Sequence, residues 1–169
     1  MNFEIREIEP NDNSVLATII RQTLKEFKAD KPGTVYFDES TDHLSDLFKA
    51  ENSKYFVAFI ESKLVGGAGI FPTKGLPEDT LELVKMYLLP EARGYGLGRT
   101  LILKCIEEAA SKGFKRIYLE TMPELDKAVK AYEKLGFVLL DGPLGDSGHH
   151  SCDLWMVKDI EQFSPENDN

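Results

Sequence analysis

A chain of 169 residues is long enough for one folded domain with a sizeable hydrophobic core. Its composition, 42% hydrophobic and 29% charged, is typical of a globular protein, and no apolar run reaches the roughly 18 residues of a membrane-spanning helix. The formal net charge of -9 argues against nucleic acid, because binding a phosphate backbone requires a basic surface. Neither nucleic acid nor a membrane is therefore expected as a partner. The acidic balance mildly favours a cationic partner, although such a balance more often only keeps a protein in solution.

The start of the chain and its two cysteines indicate a reducing compartment. Residues 1–6 alternate apolar and polar side chains, unlike a signal peptide with its basic start and apolar centre. A cytoplasmic location is expected by default. Cys105 falls on the apolar face of a predicted helix, and neither it nor Cys152 has the spacing of a metal ligand. Both are expected to be reduced thiols, and no metal site is predicted.

The first half of the chain combines strand and helix patterns. Its predicted elements are a strand at 3–8, a helix at 13–29, an extended piece at 35–37, a helix at 41–50 and strands at 55–60 and 64–71. The last two strands are expected to form a hairpin. Three glycines in the second of them, Gly66, Gly67 and Gly69, predict a bulge or close packing against a helix rather than contact with a ligand.

The second half alternates strands and helices more regularly. Its predicted elements are a strand at 80–89, a helix from 96 to 112, a strand at 115–120, a helix at 124–135 and strands at 136–140 and 151–157. Together with the first half, this order predicts an α/β chain with a mixed sheet. The domain is expected to span residues 1–163, followed by a polar tail at 164–169.

A glycine-rich turn joins a predicted strand to the next helix. Gly94, Gly96 and Gly98 remove alternate side chains, so that successive backbone N–H groups can converge on a phosphate at the helix N-terminus. A Walker loop is excluded, because Arg93 stands in place of its first glycine and Arg99 in place of its lysine. A dinucleotide-binding turn is excluded as well, because Arg99 also occupies the position of its third glycine.

What remains is the segment Arg93-x-x-Gly96-x-Gly98. It resembles the Arg/Gln-x-x-Gly-x-Gly/Ala signature of GNAT-superfamily N-acetyltransferases, in which this loop holds the pyrophosphate of acetyl-coenzyme A. Six residues with three fixed recur by chance, so the segment needs support from elsewhere in the chain.

A second motif supplies that support. Ala128, Tyr132 and the run 134–137, Lys-Leu-Gly-Phe, resemble the family segment Ala-x-x-x-Tyr-x-Lys-x-Gly-Phe. Two motifs in the right order and spacing identify the chain as a member of the superfamily. The chain departs from the pattern at Leu125, where many members have an Asn that helps to hold the pantetheine arm of the cofactor.

The resemblance implies the GNAT acyl-CoA N-acyltransferase fold, an α+β layered structure with a mixed, mostly antiparallel sheet of about six to seven strands and about four flanking helices. It also implies that the strand at 86–88 splays from its neighbour, so that its backbone binds pantetheine and one N–H polarises the thioester oxygen. Acetyl-coenzyme A is the implied co-substrate. The implied cofactor-binding residues are Met86, Tyr87, Leu88, Arg93, Gly94, Tyr95, Gly96, Leu97, Gly98, Arg99, Thr100 and Ala128.

Two side chains are candidates for the proton transfers. The resemblance implies that Tyr132 is the general acid that returns a proton to the coenzyme A thiolate, and the alternative is an aromatic ring that packs one end of a helix. Glu82 lies four residues before Met86, which in a regular strand puts both on the same face, where an amine would approach. Glu82 is thus a candidate general base. The alternatives are that Glu82 only binds a cationic acceptor, or that the amine loses its proton before it binds.

The acceptor amine is not identified by the sequence. The helical insertion at 41–50, the acidic and aromatic run at 36–39 and the segment 148–152, with His149 and His150, are candidates for its surroundings, although the last is more simply a surface loop. The leading function is direct acetyl transfer to an amine of a small molecule or protein, without an acyl-enzyme. The alternative is a non-catalytic acetyl-coenzyme A-binding module that signals ligand binding. Whether the chain forms a homodimer is left open.

Overall fold

In the computed structural model, which describes residues 2–146 and 153–164, seven strands form one sheet. The strands are β1 (Phe3–Glu7), β2 (Lys54–Ile60), β3 (Lys63–Phe71), β4 (Thr80–Leu88), β5 (Arg116–Thr121), β6 (Val138–Leu140) and β7 (Leu154–Asp159). Their order across the sheet is β1-β2-β3-β4-β5-β7-β6. The β4–β5 pair is parallel and the other five pairs are antiparallel, which confirms the predicted mixed sheet.

Within the described residues four helices flank the sheet, as predicted. They are α1 (Asn13–Glu26), α2 (Leu44–Leu47), α3 (Leu97–Ser111) and α4 (Asp126–Lys134), with single 3-10 turns at Pro10–Asp12, Val35–Phe37, Glu39–Asp42, Pro90–Ala92 and Pro123–Leu125. None of the helices within residues 2–146 and 153–164 has the length and apolar character needed to cross a bilayer. The candidate segment 148–152 and all but the first residue of the predicted tail lie outside these residues.

The segment after α1 differs most from its prediction. The helix expected to run to residue 29 ends at Glu26, because Lys28 adopts a left-handed conformation (φ 58°) and the Ala29 N–H turns back to the Leu24 carbonyl. The helix expected at 41–50 is reduced to the single turn of α2. Polar residues before α2 form 3-10 turns instead, since the buried Thr41 hydroxyl donates to a backbone carbonyl and competes with a regular helix.

Helices pack on both faces of the sheet and create two hydrophobic clusters. One lies under α3 and α4 and the other under α1 and α2. Large buried members of the first are Ile70, Leu81, Leu101, Ile106, Ile117 and Leu119, and of the second Leu16, Ile20, Leu24, Leu44 and Tyr55. Cys105 is a free thiol on the buried face of α3, as predicted, and burial raises its pKa.

The glycines of β3 allow its neighbours to approach closely. A Cβ at Gly67 would lie 2.5 Å from the Phe56 carbonyl oxygen, and one at Gly69 would lie 2.6 Å from Cδ2 of Tyr55. The pairing of β3 with β4 also shifts register between Gly67 and Gly69. The bulged pairing that these glycines predict is confirmed. The predicted alternative, close packing against a helix, is not what Gly67 and Gly69 show, because their nearest neighbours are Phe56 and Tyr55 of β2.

The bulge in β4 centres on Lys85, which has a left-handed conformation (φ 54°) that is rare for a residue with a side chain. Val84 pairs with Gly69 and Tyr87 with Gly67, so two residues of β4 stand opposite one residue of β3. The Tyr55 hydroxyl donates to the Lys85 carbonyl oxygen at 2.7 Å. This bond supplies the buried bulge with a donor that the strand ladder does not provide.

β4 separates from β5 after its first residues. The parallel pairing joins Thr80–Glu82 to Arg116–Tyr118, and the described residues show no further pair between these strands. β5 continues to Thr121 by pairing with β7 instead. The predicted splay is therefore confirmed, and it begins before the Met86–Leu88 part of β4.

Candidate active site

A cavity of about 410 Å³ lies where β4 leaves β5. Its walls come from α1, the segment that follows α1, β4, the glycine-rich turn, the end of β5 and α4. Side chains and backbone that line it include Thr23, Leu24, Phe27, Thr34, Val35, Glu82, Lys85, Met86, Tyr87, Leu88, Arg93, Gly94, Gly96, Gly98, Arg99, Glu120, Lys127, Ala128 and Tyr132. The cavity brings the turn, the splayed part of β4 and both candidate catalytic side chains together.

The glycine-rich turn has a conformation that other residues adopt only with strain. Gly94 and Gly96 have φ values of 86° and 81°, and a Cβ at either would meet no atom within 4 Å. Glycine is thus required there by the backbone conformation and not by crowding. α3 begins directly after Gly96, so the N–H groups of its first turn lie at the cavity. A Cβ at Gly98, by contrast, would lie 3.0 Å from Cε of Met86.

Arg93 fastens the end of β4 to α1. Its Nε and Nη2 donate to the Leu88 carbonyl oxygen at 3.1 and 2.9 Å, and its Nη1 and Nη2 donate to the Glu26 carboxylate at 2.7 and 3.0 Å. The guanidinium also lies 5.1 Å from the centre of the Phe27 ring. The hydrogen bond from Arg93 holds the pKa of Glu26 below its usual value. In this structure Arg93 therefore connects protein segments, and its binding to phosphate stays a prediction.

Three of the predicted cofactor-binding side chains lie off the lining of the cavity. Tyr95 is exposed, and its ring centre lies 6.3 Å from that of Phe3. Leu97 is buried in the cluster under α3, and the Thr100 hydroxyl donates to the Gly96 carbonyl oxygen at 3.0 Å. Leu97 thus serves packing and the Thr100 hydroxyl bonds back to its own helix, whereas the backbone of these residues belongs to the turn and the first turn of α3.

Glu82 is buried, with 3% of its surface exposed, yet it lines the cavity. It pairs with Phe71 on one side and Tyr118 on the other, and the Thr73 hydroxyl donates to its Oε1. The prediction that Glu82 shares a face with Met86 is wrong. The bulge at Lys85 moves the alternation by one residue.

The two faces of β4 are identified by their neighbours. Leu81 and Leu83 belong to the cluster under α3 before the bulge, and Met86 and Leu88 pack against that cluster after it. Glu82 alternates with the first pair and consequently faces α1.

Tyr132 projects from α4 into the same cavity. Its ring packs edge-on against Phe137, with centroids 5.8 Å apart, and only 7% of the residue is exposed. Within residues 2–146 and 153–164, no group forms a hydrogen bond with its hydroxyl. Burial, with a smaller contribution from Cys105, raises the pKa of the phenol. The hydroxyl is thus protonated at neutral pH and can act as a proton donor.

Comparison with known proteins identifies the fold and the family. A model of the acetyltransferase (GNAT) family matches residues 20–137, a range that includes the cavity's turn, β4 and α4. The chain belongs to the GNAT acetyltransferase family. As a GNAT acetyltransferase it is an acetyl-coenzyme A-dependent N-acetyltransferase, with an amine as acceptor.

Relatives and solved structures agree with this assignment. The uncharacterized N-acetyltransferase YjgM of Escherichia coli is 40% identical over 158 residues, which cover 92% of this chain and 94% of YjgM. An IAA acetyltransferase of Azospirillum brasilense is 32% identical over 131 residues, 76% of this chain and 82% of its own. A GNAT-family acetyltransferase of Staphylococcus aureus superposes with a TM-score of 0.80 at 17% identity, over 94% of this chain and 99% of that one.

A further structure was determined with the coenzyme bound. The PaiA N-acetyltransferase of Thermoplasma acidophilum, in complex with coenzyme A, superposes with a TM-score of 0.73 at 22% identity. The superposition covers 94% of this GNAT chain and 99% of PaiA. At this identity the likeness establishes a shared fold.

Some residues of the GNAT cavity were missed by the sequence prediction. Lys85 and Glu120 line it, as do Thr23 and Leu24 from α1 and Phe27, Thr34 and Val35 from the segment that follows. A lysine inside the otherwise apolar 83–89 run was a usable signal for Lys85. The α1 residues carried no signal, because their spacing is that of any amphipathic helix. No group of three or more His, Cys, Asp and Glu side chains suited to a metal ion occurs in the described part of the chain.

Proposed function

We propose that this acetyltransferase moves the acetyl group of acetyl-coenzyme A directly to an amine, with both substrates bound at once and without an acyl-enzyme. The observation that carries the proposal is the cavity, since one space joins the splayed part of β4, the glycine-rich turn, Glu82 and Tyr132. Two substrates that meet in one space need no covalent relay through the protein.

The donor is assigned to the backbone of β4 and of the turn. The Leu89 N–H donates to the Val65 carbonyl oxygen of β3, so the N–H and C=O of Leu88 point away from β3. Because Arg93 already occupies the Leu88 carbonyl, we assign the Leu88 N–H and the backbone of Met86 to the pantetheine arm and thioester.

The pyrophosphate is assigned to the turn and to the first turn of α3. Its N–H groups, the positive end of the helix dipole and the Arg99 side chain that lines the cavity suit a strongly anionic group. Tyr87 and Ala128, which also line the cavity, are assigned to the rest of the cofactor.

The chemical step transfers one proton in total from the amine to the thiol. Glu82 accepts a proton from the acceptor amine, directly or through water, as the new N–C bond forms and the C–S bond breaks. Tyr132 donates its proton to the departing thiolate. The proposal is supported by the burial of Glu82 at the cavity and by a Tyr132 hydroxyl without a protein partner in the described part of the chain.

The test measures release of coenzyme A when the protein is mixed with acetyl-coenzyme A and a panel of primary amines. We expect turnover on at least one amine, and a fall in kcat of about 100-fold or more for Tyr132→Phe at unchanged affinity for acetyl-coenzyme A. Phe keeps the ring and its contact with Phe137 and removes only the hydroxyl.

Two results would contradict the proposal. Binding of acetyl-coenzyme A without turnover on any amine would favour a sensing module. An unchanged rate for Tyr132→Phe with a good acceptor would remove Tyr132 as the acid.

A further inference from the structure

Lys85 places a buried ammonium group at the acceptor side of the cavity. Only 5% of its side chain is exposed, although it lines the cavity. Its Nζ points toward Asp38, in the segment between α1 and α2, with 3.9 Å between Nζ and Oδ2. The glycine-rich turn lies elsewhere, against Met86 on the opposite face of β4. Lys85 therefore faces the acceptor and not the pyrophosphate.

The ion pair with Asp38 leaves this ammonium poorly compensated. A distance of 3.9 Å is too long for a hydrogen bond, and Asp38 itself is one-third exposed. A buried ammonium costs free energy unless a hydrogen-bonded anion compensates it. The left-handed backbone of Lys85 adds strain at the same residue. Two unfavourable features at one cavity residue are typical of a functional position.

Two carboxylates accompany Lys85 in the lining of the cavity. Glu82 lies three residues before it, and Glu120 accepts a hydrogen bond from the Tyr118 hydroxyl at 2.7 Å. Tyr118 is paired with Glu82 across β4 and β5, so both carboxylates face the α1 side. This side of the cavity therefore offers acidic groups for an amine and, in Lys85, a buried cation for an anionic group.

We propose that Lys85 binds the carboxylate of the acceptor, and that the acceptor is an amino acid or a similarly small aminocarboxylate. The inference rests on the proposed function and names its substrate class. The amine lies near Glu82 and Glu120, and the acceptor carboxylate provides the close anion that Asp38 does not. With an amine that has no anionic group, Lys85 keeps its 3.9 Å ion pair with Asp38 and the attraction of the Glu82 charge, neither of which is a hydrogen-bonded contact.

The experiment compares each amino acid with the carboxamide that has the same side chain. For the wild-type protein and for Lys85→Met, the ratio of kcat/KM for the acid to that for the amide is measured. Because the two amines differ in basicity, the quantity of interest is the change of this ratio between the proteins. We expect it to fall about 10-fold or more in Lys85→Met, mainly through KM of the acid, since a charge-assisted hydrogen bond is lost. Lys85→Arg should restore part of the preference.

Lys49→Met is the matched control, because Lys49 is exposed and its ion pair with Asp46, three residues earlier, is exposed to solvent as well. It should leave the ratio unchanged. Coenzyme A affinity and thermal unfolding show whether each variant is folded, and Lys85→Gln replaces Lys85→Met if the latter is not.

The outcomes separate the inference from the proposed function. Turnover of simple amines without preference for the acid, or a preference that Lys85→Met keeps, overturns the role of Lys85. Absence of turnover on every amine overturns the proposed function instead. In that case calorimetric titration of the same acid and amide pairs into the protein–coenzyme A complex decides the role of Lys85. Tighter binding of the acid that Lys85→Met abolishes supports it, and equal or absent binding of the two contradicts it.

Discussion

The two ends of β4 contribute to the cavity in different ways. Thr80–Glu82 pairs with β5, Glu82 pairs with β3 as well, and the contribution of this end to the cavity is the Glu82 side chain. At the other end Tyr87 and Leu88 pair with β3 beyond the last described pair with β5, and we assign this end a backbone contribution. A strand held on both sides can place a carboxylate accurately, because its backbone cannot shift. A strand held on one side has backbone groups for a ligand that adds to the sheet.

Lys85 separates the two ends. The bulge exchanges the faces of the strand, so Glu82 faces the α1 side while Met86 packs toward α3. Had the strand been regular, Glu82 and Met86 would lie on one face. One inserted residue, the bulge at Lys85, therefore lets a single strand present two different surfaces to the cavity.

The doubly paired end is tested by Glu82→Gln, for which we expect the largest effect. Loss of the carboxylate should lower kcat/KM about 100-fold at neutral pH and raise the apparent pKa of the pH–rate profile, because the amine must then lose its proton unaided. Steady-state rates from acidic to alkaline pH check both. The exposed Glu78→Gln is the control. A lowered rate with an unshifted profile would make Glu82 a binding group for the acceptor.

The singly paired end is tested by Gly98→Val. A Cβ at Gly98 lies 3.0 Å from Cε of Met86 and 3.3 Å from Cδ1 of Leu88, so valine should push the start of α3 away from this end of β4. We expect affinity for acetyl-coenzyme A to fall about 10-fold, with less effect on kcat at saturation. Equilibrium titration with coenzyme A measures it. Gly142→Val, where a Cβ meets no atom within 4 Å, should bind normally.

The boundary between the ends is tested by Tyr55→Phe, for which the expected effect is smaller. Removing the hydroxyl leaves the Lys85 carbonyl without its 2.7 Å donor in a buried place. We expect the free energy of unfolding to fall by about 1–2 kcal/mol and kcat to fall with it, since the bulge loosens. Denaturant titration and steady-state kinetics provide the two values. An unchanged kcat in the destabilised variant would show that the bulge needs no such support.

Asp12→Asn controls for loss of stability away from β4. Arg6 donates to both oxygens of Asp12, at 2.8 and 3.0 Å. Burial raises the pKa of Asp12, but the hydrogen bonds from Arg6 and from the Glu9 N–H outweigh it and hold the pKa below its ordinary value. The carboxylate therefore stabilises the fold above its unfolded pKa and ceases to do so as pH falls through the folded pKa. Asn should cost about 1 kcal/mol at pH 7 and less in acid, with kcat unchanged.

The donor half of the cavity was largely predictable from the sequence. Gly94 and Gly96 adopt a left-handed backbone conformation, and glycine residues in a sequence indicate where such a conformation is possible. The spacing from this turn to Tyr132 matched the pattern of the family. The order of strands and helices was predictable for the same reason, since alternation and helical spacing are local. The boundaries of the helices were less predictable. A left-handed Lys28, or a hydrogen bond from the Thr41 hydroxyl to the backbone, ends a helix or prevents one without altering the apolar pattern.

The acceptor half was not predictable in the same way. The position of the bulge at Lys85 depends on how β3 and β4 pair. Lysine is not a residue type that indicates a left-handed bulge position. Asp38 meets Lys85 only through the chain's path between α1 and α2. The segment 148–152 lies outside the described residues, so its predicted place at the acceptor stays a prediction.

The glycines of β3 also bear on how this enzyme can diverge. At Gly67 and Gly69 any larger residue collides with Tyr55. Substitutions at the centre of the sheet are therefore expected to destabilise the fold. The segment between α1 and α2 meets the cavity through Thr34 and Val35 and reaches Lys85 through Asp38. We expect changes in its short 3-10 turns to alter the cavity wall near Lys85 without moving the glycine-rich turn. A change of acceptor is therefore expected to arise in this segment and not at the centre of the sheet.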